Sequence, residues 1–184
     1  MIDKAFQDKT AADDKSIGFD YQYYYFLKLL LELRHGQKIG LEVLDDVHLE
    51  LPDNKLVLIQ LKHTTQTKSD STAINLTERD VDLWKTIYNW VQLINDKTQS
   101  RGTIKSQLEF IENTDFILVS NKQPSTTNNF LTKISEFVSE TIAITKFEEY
   151  LEELYTNTED STTNAPLRKY ILEFKSLRLL FKQL

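Results

Sequence analysis

The chain has 184 residues, 40% of them hydrophobic, with a formal net charge of −6, enough for one core of ordinary size and a small helical addition; a single domain over residues 1–184 is expected. Cysteine is absent and the three histidines are scattered, which excludes disulfide frameworks, thiolate nucleophiles and Cys-based zinc sites and leaves carboxylate-rich sites for hard metals. No stretch is apolar for long enough to span a bilayer, and the opening MIDKAFQDKTAADDK is charged where a signal peptide needs an apolar run, so a cytoplasmic protein without membrane contact is expected.

In chain order, GFDYQYYYFLKLLLELRHG predicts a helix from about Phe19 to Arg34, with Phe19, Tyr23, Phe26, Leu27, Leu30 and Leu33 on one buried stripe and Gly36 as the stop. Of Tyr23, Tyr24 and Tyr25, two are expected to serve the core. VHLELPDNKLVLIQLKH then reads as two alternating runs around Pro52, Asp53 and Asn54, a hairpin with a three-residue loop. If Leu51 faces Lys55, then Val47, Leu49, Leu51, Val57, Ile59 and Leu61 share an apolar face. The other face carries Asp46, His48, Glu50, Leu56, Leu58, Gln60 and Lys62, with Asp46 across from Gln60. A slip of one residue would separate these polar groups, so the hydrophobic pattern itself predicts a site.

A second helix is expected over 78–96, with Thr77 as N-cap, Asp80 completing a capping box, and Val81, Trp84, Tyr88, Val91 and Ile94 buried. Trp84 and Trp90 read as core or interface anchors. DFILVSNK predicts a central strand from Asp115 to Ser120, ended by Asn121 and Pro124. Helices follow near 129–140, 146–155 and 166–183, the last two joined by the polar loop YTNTEDSTTNAP. The expected layout is an α/β core over about 17–125, a central mixed sheet flanked by helices, and a helical part over about 129–184.

Charge is unevenly placed. Residues 1–54 hold 6 basic and 11 acidic side chains, residues 55–105 hold 8 and 5, and residues 106–184 hold 8 and 12. The middle segment is thus net +3, and Lys68, Lys85, Arg101 and Lys105 are its candidate phosphate contacts. Glu148, Glu149, Glu152 and Glu153 form an acidic helix face that reads as solvated, and His48 and His63 read as surface or strand-end histidines. The polar face of the hairpin suits metal-assisted phosphodiester hydrolysis. Asp46 offers an anionic oxygen to Mg²⁺, Gln60 and the Leu61 carbonyl add neutral oxygens, and Lys62 can orient the attacking water or stabilise developing negative charge. Asp45 competes with Asp46 for this role, and strand parity favours Asp46.

Asp46, thirteen intervening residues, then Gln60-Leu61-Lys62 resembles the PD-(D/E)xK nuclease signature in its QxK form. Leu44-Asp45-Asp46 stands where that family carries its PD pair. With GFDYQ (18–22), Glu42 and IQLKH (59–63), the first 65 or so residues resemble the N-terminal double-stranded-DNA endonuclease domain of antiphage effectors of the cyclic-oligonucleotide (CBASS) type. The resemblance implies a restriction-endonuclease-like fold and a catalytic trio of Asp46, Gln60 and Lys62. It further implies Glu42 as an auxiliary metal acid, Gln22 as a site-lining amide, and Mg²⁺ or Mn²⁺ as cofactor. Double-stranded DNA is the implied substrate, with a sensor domain or partner protein and self-association for double-strand cleavage. A catalytically inactive DNA-binding or assembly module of the same fold, and an RNA-directed nuclease, are the alternatives.

Overall fold

The computed structural model describes the backbone of residues 4–181 and the side chains of residues 17–178, 180 and 181. The chain groups into two compact units, the first comprising Met1–Asn75 with Asn113–Gln123 and the second Leu76–Glu112 with Pro124–Leu184. Within the span 17–125 expected as the core, residues 76–112 therefore group with the C-terminal helices.

In the first unit, helix α1 (Lys4–Glu32) precedes strands β1 (Lys38–Leu41), β2 (Val47–Glu50) and β3 (Leu56–Lys62), and β4 (Thr114–Ser120) completes the sheet. The order is β1-β2-β3-β4, antiparallel through β3 and parallel between β3 and β4. This is a mixed α/β architecture. The hairpin register is the expected one: Val47 pairs with Ile59 and Leu49 with Val57. Asp53 and Asn54 close the loop at φ 62° and 59°, a left-handed conformation that Asp and Asn tolerate better than most residues. The expected apolar face forms the core, where Val47, Val57, Ile59 and Leu61 are buried beneath Tyr21, Tyr25, Phe26 and Leu29 of α1.

Four expectations for this unit need correction. α1 starts well before Phe19, because Ala, Lys and Gln in its first turns are strong helix formers. Its buried side shares only Phe26 with the expected stripe among the residues that meet the sheet: Phe19, Tyr23, Leu27 and Leu30 are exposed, while Tyr21, Tyr25, Phe26 and Leu29 meet the sheet. Residues 17–31 are apolar almost all round, so spacing alone does not select a face, and of the three adjacent tyrosines only Tyr25 reaches the core. β4 lies at the edge of the sheet and not at its centre. β1 was not expected, being four residues long with a glycine in its middle.

The second unit is helical: α2 (Val81–Ile94), α3 (Ile104–Glu112), α4 (Asn129–Val138), α5 (Ile144–Thr156), α6 (Ala165–Lys175) and α7 (Arg178–Phe181). Its core centres on Trp84, packed against Phe130 and Phe174 at centroid distances of 4.7 and 6.0 Å, with the indole N–H donating to the Glu78 carbonyl at 2.8 Å. α2 begins at Val81 and its N-cap is Asp80, not Thr77, with the Asp80 carboxylate accepting from the Asp82 and Leu83 N–H groups. This start leaves Val81 exposed and Tyr88 half-buried, and turns Leu83 and Ile87 inward instead. α3 has no counterpart among the expected elements, and the helix expected over 166–183 is interrupted at Ser176 and Leu177. Among the described residues, no helix is long and apolar enough to cross a membrane.

Candidate functional site

The site grows from the turn between β1 and β2. Leu41 and Val47 form the last ladder pair of this hairpin, and the Glu42 N–H donates to the Asp46 carbonyl at 3.0 Å, closing residues 42–46 into a tight loop. Glu42 sits at φ 54°, in the left-handed region that costs a residue with a β-carbon roughly 1 kcal/mol or more and that clusters at functional sites. The Asp45 carboxylate accepts from the Asp46 N–H at 2.9 Å, which turns it back on its own chain. Asp46 is the acid that reaches across to β3.

There it meets the pair the register predicts. Asp46 Oδ2 accepts from the Gln60 side-chain amide and from the Leu61 N–H, the latter at 2.7 Å. Gln60 is only 6% exposed, so its amide N–H requires such a partner. Both bonds fall on Oδ2 and use the nitrogen end of the amide, which leaves Asp46 Oδ1 and Gln60 Oε1 as oxygens for a further ligand. Lys62 stands two residues beyond Gln60 on β3 and so shares its face; it is half-exposed. The Glu42 carboxyl is held above its ordinary range, chiefly by partial burial and then by the charges of Asp46 and Asp45, with Lys62 acting in the opposite direction. Three acids and one lysine thus share one electrostatic field.

Gln22 lies on α1, which runs beside the end of β3: the Tyr21 ring packs on His63 at a centroid distance of 5.1 Å. The Gln22 Oε1 atom is buried without a hydrogen-bond partner, the kind of orphaned acceptor that a bound cation or ordered water would satisfy. Among the described residues, no three His, Cys, Asp or Glu side chains are grouped so as to hold a metal by themselves. A cation here would need the neutral oxygens of Gln60 or the Leu61 backbone beside the carboxylates of Asp46 and Glu42. That hard, all-oxygen donor set fits Mg²⁺ or Mn²⁺.

The remaining candidates are placed differently. Lys68 is exposed in the first unit, and Lys85 and Lys105 are exposed in the second. Arg101 is an anchor inside the second unit: its side chain is 16% exposed and 3.8 Å from Asp96, its Nε–H donates to the Leu93 carbonyl at 2.6 Å, and it lies over the Phe110 ring. His48 is not at the surface; it is buried, its ring lying against the backbone of Gly40, whereas His63 is exposed at the end of β3.

Sequence reasoning missed one residue that supports the site. Asn121 reads as a strand terminator, yet its amide both donates to the Thr64 carbonyl and accepts from the Thr64 N–H, each at 2.9 Å. It extends the β3–β4 ladder past the Lys62–Ser120 pair. The only sequence signal is an Asn directly after a strand, which is common to many turns. Comparison with protein-family models, with curated proteins and with solved structures returned no match.

Proposed function

We propose that this chain is a metal-dependent endodeoxyribonuclease with a restriction-endonuclease-like core. In this reading it hydrolyses phosphodiester bonds with little sequence preference, as the effector module of a bacterial antiphage system that also contains a sensing domain or partner. The observation that carries the reading is the Asp46 carboxylate gripped by the Gln60 amide and the Leu61 N–H on the face shared with Lys62. The raised Glu42 carboxyl and the orphaned Gln22 oxygen support it, since both describe a place short of positive charge.

A bound Mg²⁺ or Mn²⁺ would supply Lewis-acid stabilisation of the phosphate charge and a more acidic water. The residues of the chain do the rest. Asp46 and Glu42 would set the negative field that holds the cation, and Gln60 fixes the Asp46 carboxylate in one orientation. Lys62 would hydrogen-bond the attacking water or a non-bridging phosphate oxygen. The water oxygen bonds to phosphorus as the ester P–O bond breaks, the water gives up a proton, and the departing alkoxide takes one.

Digestion of supercoiled plasmid, with an RNA substrate alongside, tests the reading for wild type and Lys62→Ala in Mg²⁺ and in EDTA. Nicking or linearisation of the plasmid in Mg²⁺ alone is expected, reduced on the order of 100-fold or more in the variant. Cleavage that persists in EDTA, or equal cutting by Lys62→Ala, would refute it. RNA-only cutting would move the substrate to the other nucleic acid.

A further inference from the structure

α1 offers the sheet one side and leaves the other open. Phe19, Tyr23, Tyr24, Leu27, Leu30 and Leu31 are exposed, with Leu31 at 79%, Tyr24 at 70% and Phe19 at 63%. At 3.6 residues per turn these six fall on one continuous arc of roughly 140°, opposite the residues that meet the sheet. Among the described side chains of α1, Asp20 is the only charged one inside the arc. Lys28 borders it, 3.5 Å from Glu32.

At the observed exposures the six side chains leave on the order of 650 Å² open, more than the largest apolar patch of most monomers, roughly 300–600 Å². Complete burial of two such arcs would remove at most about 1,300 Å² from water, at the lower end of the range of roughly 1,200–2,000 Å² for specific, stable complexes. We propose that this face of α1 is the interface of a two-fold symmetric homodimer, in which the α1 helices of two copies pack antiparallel.

Charge selects both the partner and the direction. Parallel packing would bring Asp20 against its own copy. Antiparallel packing about a two-fold axis at Tyr24 instead brings position 20 opposite position 28, so that Asp20 of one chain faces Lys28 of the other. Over the described residues this face holds one carboxylate and has a single lysine at its border, and is ill suited to a lipid surface, which favours an apolar stripe flanked by several cations. A second copy supplies an equally apolar arc and the matching charge. The inference rests on α1 and not on the nuclease reading; where that reading holds, the dimer provides the two sites needed to cut both strands.

Sedimentation equilibrium of the full chain, for wild type, Leu27→Glu and Leu31→Glu, tests the proposal, with Val138→Glu as a control on an exposed apolar residue of the other unit. A wild-type dimer is expected, with a dissociation constant raised about 100-fold or more by either α1 substitution, because each buries an unpaired charge on both sides of the axis. The control should remain dimeric. These positions are exposed in the single chain, so circular dichroism should not change. The chain has no cysteine, and Tyr24→Cys should therefore form a covalent dimer on mild oxidation. A monomeric wild type at tens of micromolar, or a dimer indifferent to both α1 substitutions, overturns the proposal. A dimer without nuclease activity would count against the proposed function alone.

Discussion

Gln60 performs two tasks that a carboxylate could not perform together. Its amide N–H ties down Asp46 across the hairpin, and its carbonyl remains available beside it. Gln60→Glu removes the donor and places a second acid against Asp46 in a position that is 94% removed from solvent, since 6% is exposed. Two like charges at that spacing repel, and burial adds to the penalty. The variant should therefore melt several degrees below wild type in EDTA and show a larger stabilisation by Mg²⁺ or Mn²⁺, because a cation neutralises the pair it creates. Differential scanning calorimetry with and without metal reads both effects. Equal metal-induced shifts in the two proteins would mean that position 60 does not face the cation.

In the β1–β2 hairpin, Gly40 and His48 are closely fitted. A β-carbon added at Gly40 would lie 2.1 Å from His48 Cε1, so Gly40→Ala must displace a buried imidazole and should cost about 1–3 kcal/mol. His48→Ala in the same chain removes the clash, so the double variant should lose less than the two single losses combined. Urea denaturation of the four proteins measures this coupling, and simple additivity would disprove the contact. The same hairpin region marks how far the sequence could be read. Alternation in β2 and over Ile59–Lys62 of β3 favours the register that puts Val47, Leu49, Ile59 and Leu61 on one face, which is why the Asp46–Gln60 pairing was legible. α1 was legible as a helix but not in orientation, because apolar residues surround it and only the sheet selects Tyr21, Tyr25, Phe26 and Leu29. β1 was illegible because four residues around a glycine carry too little periodicity, and its glycine has meaning only beside His48. Asn121 was illegible as a support because its partner, Thr64, is distant in the chain.

At the scale of the whole molecule, an acidic chain with net charge −6 would, as the proposed nuclease, have to meet a polyanion through local features. The basic middle segment contributes fewer free cations than its composition implies, since Arg101 anchors the second unit internally. The placement of β4 also has a consequence in time. Asp46 and Gln60 are joined by a short hairpin, whereas β4 pairs with β3 only after a long intervening segment, most of which belongs to the other unit. Closing a short loop takes far less time than gathering a distant strand, and contacts of low sequence separation tend to form first. The acid and the amide should meet while β4 is still searching, and the Asn121 clamp should close last. In stopped-flow refolding, Val47→Ala in the hairpin should then slow folding, while Asn121→Ala should mainly speed unfolding. The reverse pattern would place the parallel pair in the nucleus.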